Sequence, residues 1–372
     1  MRKIYLDFNA STPILPTVAK AMEPFLSDYY GNPSSRHWAG LPAKEAVENA
    51  RSQVAGLLGC LPEEIIFTSG GTESNNHALK GAFFKHRDHG NHIITSQVEH
   101  PSILQPCRFL ERHGAEITYL PVDRHGRVDP EDVRRTIKKK TILITIMHAN
   151  NEVGTIQPVV EIAKLARDRN IFFHTDAAQS AGKIPTKTDE LGVDMMSLAG
   201  HKLYAPKGVG ALYLRKGTQI EPLIHGAGHE EGRRAGTENV LLDVGLGAAC
   251  EISGRWSGMG QVEQLRDRFW EMLQKEFGNG VVLNGHPTER LPNTLNVSFV
   301  GKVGSEILSE LKEVAASTGS ACHEGAVELS PVLKAMRIAP EIGMGAIRFS
   351  LGRSTTLNEI ETVVGRLKEV LR

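Results

Sequence analysis

TILITIMHANNEVGTIQPVVEIAKLARDRNIFFHTD, residues 141–176, decides how this chain folds. Two short runs rich in β-branched residues, TILITIMH (141–148) and IFFHTD (171–176), flank the helix-forming stretch VVEIAKLARDRN (159–170). Strand, helix and strand in so short a span make a βαβ unit, whose two strands lie parallel in one sheet. The alternation extends outward from about residue 40 to about residue 255. EIIFTS (64–69), NHIITS (91–96), EITYLPV (116–122) and GVGALYL (208–214) are further short apolar runs ending in polar residues or glycine. Buried parallel strands have this texture. Between them, residues 42–58 set Ala43, Ala46, Val47, Ala50, Val54 and Leu57 at helical spacing behind Pro42, and SILQPCRFLERHG is another helical stretch.

The pattern predicts an α/β protein with a large mixed, mainly parallel sheet. From RWSGMGQVEQLRDRFWEML (255–273) onward the texture changes to a long amphipathic helix, NTLNVSFV, the helix SEILSELKEV, AIRFSLG and a closing helix. The expected division is a large domain over 13–255 and a smaller α+β domain over 256–372, with residues 1–12 assigned to the smaller one.

A chain of 372 residues exceeds one small core, so two domains fit its length. Lys+Arg and Asp+Glu both number 43, a balance that argues against a bulk electrostatic grip on nucleic acid or an anionic membrane. No apolar run reaches the length of a membrane span, and MRKIYLDFNAST enters a strand-like segment without a signal-peptide pattern. The four cysteines, Cys60, Cys107, Cys250 and Cys322, form no CxxC pair, so the expectation is reduced thiols in a cytoplasmic compartment. The fifteen histidines show no metal-ligand spacing, and no dedicated metal site is expected.

Four stretches carry candidate chemistry. TSGGTESNN (68–76) joins a strand to a helix, and its glycine-rich turn around Gly71 and Thr72 suits a phosphate; a helix cap at Thr72 or Ser74 reads the same residues. In FFHTDAAQS (172–180), Asp176 follows a strand end, where open α/β sheets bind ligands, although a capping carboxylate is commoner for such an aspartate alone. MSLAGHKLYAPKGVGALYL (196–214) places Lys202 in a turn of small residues, where an amine drawn into a cleft can form a Schiff base with an aldehyde cofactor. STGSACHEGAVELSPVL (317–333) reads as an exposed loop, and Cys322 there is either a thiolate nucleophile or a plain loop thiol. Cys60, Cys107 and Cys250 lie in or beside apolar or helical segments and read as inert.

Together with YLDFNASTP, YGNPSSRHW, EHPSI, MHANNEVGTIQP, RRAGTENV and IRFSLGRST, these motifs span nearly the whole chain. Their order resembles the cysteine desulfurases of the NifS and IscS group, within the fold type I pyridoxal-phosphate enzymes. The resemblance implies pyridoxal 5'-phosphate as cofactor and L-cysteine as substrate. It makes Lys202 the lysine that binds the cofactor and moves the Cα proton, Asp176 the partner of the ring nitrogen, and Gln179 a neighbour of the ring oxygen. His100 matches the histidine stacked on the ring and involved in proton transfer. Gly71, Thr72 and His201 match the phosphate site, with Thr237 delivered from a second subunit of a homodimer. Asn151 and Arg348 match the residues that hold the substrate carboxylate, and Cys322 matches the cysteine that becomes a persulfide. The product sulfur would pass to an acceptor protein such as an iron–sulfur scaffold, or toward tRNA thiolation.

Two departures stand out. Ala199 occupies the place, two residues before His201, where many members have a phosphate-binding serine. ACHEG at 321–325 also departs from the housekeeping pattern and resembles that of selenocysteine lyases, which keeps that activity as an alternative, while His323 reads as an exposed loop histidine. A non-catalytic scaffold of the same fold is a third possibility, against which intact Lys202, Asp176, His100, Arg348 and Cys322 all speak.

Overall fold

The computed structural model describes residues 3–318, 321–323 and 326–371, with only the backbone course of 321–323, 326 and 327. Seven strands form the large sheet: β1 (Ile65–Thr68), β2 (His92–Ser96), β3 (Glu116–Leu120), β4 (Thr141–Thr145), β5 (Phe172–Asp176), β6 (Met195–Ala199) and β7 (Gly210–Leu214). Their spatial order is β1-β7-β6-β5-β4-β2-β3, and all pairs are parallel except the two that β7 makes. The expected mixed, mainly parallel sheet is thus present. β6 is the strand the sequence reading did not identify. Its residues, MMSLA, include no β-branched side chain, so propensity is silent where burial between β5 and β7 decides.

Side chains of period two divide the sheet between two apolar layers. Ile65, Phe67, Ile94, Ile144, Leu198 and Tyr213 pack on one face, with the Gly40–Leu58, Val159–Arg167 and Val240–Arg255 helices. Ile66, Ile93, Leu143, Met195 and Leu212 pack on the other, with the Gly71–His86 and Pro101–Glu111 helices. A separate core surrounds an antiparallel sheet of β8 (Val281–Asn284), β9 (Thr294–Phe299), β10 (Ser317–Thr318) and β11 (Ala346–Ser350), in the order β10-β11-β9-β8. The Met259–Phe277 and Leu357–Leu371 helices contribute Phe269, Leu273, Ile360 and Leu367 to it. Ile4 and Leu6 are buried in this second core, and Ile4–Tyr5 pairs in parallel with Val314–Ala315.

Two local expectations change. The Gly71–His86 helix starts at Gly71 behind Gly70, whose φ of 144° favours glycine, so Thr72 and Ser74 lie inside the first turn and no side chain caps it. The segment read as a loop around Cys322 carries ladder pairing instead: Ala321–His323 runs antiparallel to Ala326–Glu328. The side chain of Cys322 lies outside the described residues.

The loop that carries Thr237 is anchored at its start by a buried ion pair. Arg51 donates through both terminal nitrogens to Glu230 at 2.7 and 2.9 Å, and Glu230 also accepts the Phe67 N–H at 3.1 Å. Each residue is only 6% exposed. Removing one partner leaves an uncompensated charge, so Glu230→Ala should cost about 3–5 kcal/mol. The Arg51→Met/Glu230→Leu double variant should lose less than that single change. Chemical denaturation checks both, and a single variant as stable as the parent would contradict the assignment.

Candidate active site

The carboxyl ends of the parallel strands converge on one cavity of about 320 Å³. His100 reaches it from beyond β2, Asn151 from beyond β4, Asp176 and Gln179 from β5 and its turn, and Ala199, His201 and Lys202 from β6 and its turn. Gly71 and Thr72 line it from the first turn of their helix, and Arg348 comes from β11 of the second sheet. Every expected cavity residue is therefore gathered in one place except two. Thr237 is exposed on a separate depression with Ser69 and Arg234, and the Cys322 side chain lies outside the described residues.

The N-terminal segment forms one wall. Lys202 Nζ donates to the carbonyl of Asn9 at 2.5 Å and to that of Ala10 at 2.8 Å. Burial, followed by the Arg348 cation, lowers its ammonium to about 8, with Asp7 and Asp176 opposing. Gln179 Nε2 donates to the same Asn9 carbonyl at 2.9 Å, while its Oε1 accepts from Lys183 Nζ at 3.0 Å. Burial pushes the Lys183 ammonium down to about 7, and Lys202 and Arg348 add to the effect.

Asp176 has both oxygens occupied: Oδ1 accepts the Ala178 N–H at 2.9 Å and Oδ2 accepts Asn75 Nδ2 at 2.7 Å. It forms a local turn and no helix cap, because no helix begins there. Arg348 donates to Asp7 Oδ1 at 2.7 Å, to Ser317 Oγ at 3.0 Å and to the Asn151 carbonyl at 2.9 Å. Its Nε is buried, with no hydrogen-bond partner among the described residues. Burial lowers the His201 imidazolium to about 4, with Lys202, Lys207 and His100 contributing. Gly71 stands against Ala199, whose Cβ would lie 3.3 Å from a Cβ built on the glycine, so the turn has little room for a bulkier neighbour.

Asn9, Asp7, Asn75, Ser102 and Lys183 are functional neighbours to which sequence reasoning gave no role. All but Lys183 lie inside or beside recognisable motifs (LDFNAST, TESNN, EHPS), but their partners are distant in the chain. Burial raises the thiols of Cys60, Cys107 and Cys250 to about 12, which accords with their reading as inert.

The aminotransferase class V family matches residues 4–363. The chain is 50% identical to the cysteine desulfurase IscS of Dictyoglomus turgidum, an alignment covering 100% of this chain and 96% of that protein. It is 46% identical to the cysteine desulfurase IscS of Methanosarcina thermophila, over 100% of this chain and 92% of the relative. Against the human cysteine desulfurase the identity is 43%, over 98% and 80%. Among solved structures, a NifS-like protein superposes with a TM-score of 0.93 at 38% identity, covering 99% of both chains. SspA, solved in complex with cysteine, superposes with a TM-score of 0.84 at 39% identity, over 94% and 98%.

The electrostatics of the cavity can be read directly on its lysine. In protein first treated with hydroxylamine to free its lysines of any bound aldehyde, competitive acetylation followed by peptide mass spectrometry should give Lys202 a titration midpoint of about 8. Arg348→Met should raise it, since a nearby cation disfavours a second one. A midpoint at the ordinary lysine value in the parent chain would show that the cavity does not tune this amine.

Proposed function

Because this chain belongs to the class V aminotransferase family, and within it to the cysteine desulfurases, we propose that its cavity binds pyridoxal 5'-phosphate and L-cysteine and passes the sulfur to Cys322. The observation that carries this reading is the convergence of Lys202, Asp176, Gln179, His100, Arg348 and an uncapped helix start on one cavity.

The residues fit the cofactor. Lys202 would hold its aldehyde carbon, Asp176 would face the ring nitrogen and Gln179 the ring oxygen. Gly71, Thr72 and His201, with Thr237 of a second copy of this chain, would hold the phosphate; a helix start without a side-chain cap favours such an anion. Ala199 brings no hydroxyl, so the anion leans on the remaining donors. When bound, the cofactor supplies a ring that accepts electrons from the substrate Cα.

The remaining work falls to the chain itself. Arg348 grips the substrate carboxylate, its planar fork suiting two parallel hydrogen bonds once it exchanges its Asp7 contact for the substrate, and Asn151 completes that grip. Lys202, with an amine that titrates at about 8, takes the Cα proton at Nζ and returns it. The Cys322 thiolate attacks the substrate sulfur: the Cβ–S bond breaks, an S–S bond forms, and cysteine plus the enzyme thiol become alanine plus an enzyme persulfide. An acceptor protein, such as an iron–sulfur scaffold, then removes the terminal sulfur.

A homodimer is supported by the exposed position of Thr237 away from its own chain's cavity. It is also supported by the exposed apolar stretch that includes Leu26, Tyr30 and Trp38, at 71, 74 and 79% exposure. No helix among the described residues is long and apolar enough to cross a membrane.

Cys322→Ala should lower alanine formation from L-cysteine by on the order of a thousandfold or more. The visible absorbance of bound cofactor should remain in that variant, whereas Lys202→Ala should alter it. Full turnover without Cys322 would sink the persulfide assignment. Alanine released from L-selenocysteine but not from L-cysteine would reassign the substrate.

A further inference from the structure

The ring of His100 is held by neighbours that leave it one protonation state. His100 caps the Pro101–Glu111 helix, and its Nδ1 accepts the backbone N–H of Ser102 at 3.1 Å. An amide N–H can only donate, so Nδ1 is the unprotonated nitrogen. The Ser102 hydroxyl lies 2.7 Å from that same Nδ1 and must therefore donate to it as well.

Asn75 explains why the hydroxyl hydrogen is free to do so. Its Nδ2 donates to Ser102 Oγ at 2.8 Å and to Asp176 Oδ2 at 2.7 Å, which uses both amide hydrogens. The carboxylate fixes the orientation of this amide, because it accepts and cannot donate. Asn75 and Ser102 are both buried, so water does not compete for the chain. Among the described residues His100 Nε2 has no hydrogen-bond partner, and the ring lines the cavity.

We infer that Ser102, backed by Asn75, is a positioning residue that locks His100 as the neutral Nε2–H tautomer. His100 then presents a fixed hydrogen-bond donor to the cavity and does not accept a proton there. This deepens the reading of the cavity given above and rests on it, and it leaves Lys202 as the group that exchanges the Cα proton. The charged and titratable groups facing His100 are Asp176 at the end of β5, and His201 and Lys202 after β6. Burial, with Lys202 adding and Asp176 opposing, also disfavours the imidazolium.

The test is nitrogen–proton correlation spectroscopy of the holoenzyme labelled with ¹⁵N-histidine, with His100 assigned by its loss in His100→Gln. A pyridine-like Nδ1 and a pyrrole-like Nε2 are expected, persisting through the pH at which free histidine protonates, roughly 6.5. Ser102→Ala keeps the residue-102 N–H on Nδ1, so the Nε2–H tautomer should remain dominant. The Nδ1 resonance should shift and the protonation midpoint move upward with the lost hydroxyl donor, and Ser102→Thr should restore the parental signature. A pyrrole-like Nδ1 in the parent enzyme, or a Ser102→Ala spectrum identical to it, would overturn the inference. Alanine formation is measured on the same samples. Turnover with the wrong signature sinks this inference alone, whereas the expected signature without turnover sinks the cysteine reading and leaves the tautomer standing.

Discussion

The backbone carbonyl of Asn9 is the acceptor on which the rest of this structure turns. It takes a hydrogen bond from Lys202 Nζ and another from Gln179 Nε2, two groups from successive strand ends of the large sheet. The residue's other atoms bind outward. Its N–H donates to Ser350 Oγ, and its side chain bonds to Thr294 Oγ1, Asn293 and Lys183. One residue thus joins the antiparallel sheet, the parallel sheet and Lys202. Backbone carbonyls suit this task, since they cannot change charge and their position is set by the chain on either side.

Three cations crowd the same region, and the resting protein accommodates them differently. Arg348 is paired with Asp7, and Lys202 rests on two carbonyls. Among the described residues Lys183 has only neutral amide oxygens as partners, and its ammonium falls further than that of Lys202, to about 7. Crowding and burial both favour the uncharged amine, which is the form a carbonyl carbon requires. Asp176, held by Asn75 and the Ala178 N–H, stands as the counterweight across the cavity.

The architecture was legible because alternation of short β-branched runs with helices is a direct consequence of parallel strands buried on both faces. Burial outweighed propensity at β6, whose MMSLA sequence gives no strand signal. A backbone conformation available to Gly70 displaced the side-chain caps considered at Thr72 and Ser74. The site itself was legible as motifs, and membership in the cysteine desulfurases makes those motifs intelligible. What composition and spacing could not show is the support beneath them. Asn75 acquires meaning only by meeting Ser102 and Asp176, which lie 27 and 101 positions away. Asp7 does so only by meeting Arg348, across 341 positions. Such partners are a property of the folded chain and leave no local trace.

The long reach of the N-terminal segment also bears on the order of events during synthesis. Residues 3–10 are made about three hundred residues before their partners, yet Ile4 pairs with Val314 and the Asn9 N–H waits for Ser350. Contacts of such sequence separation form late, because a long loop must close before they repay its entropy. The parallel sheet and its helices can assemble before the strands of the antiparallel sheet have been added. The carbonyls that receive Lys202 are fixed only when the final sheet strand arrives. Docking of the Lys202 amine on the Asn9 and Ala10 carbonyls is therefore a late event of synthesis, and a nascent chain without β11 would carry the lysine without the wall that holds it.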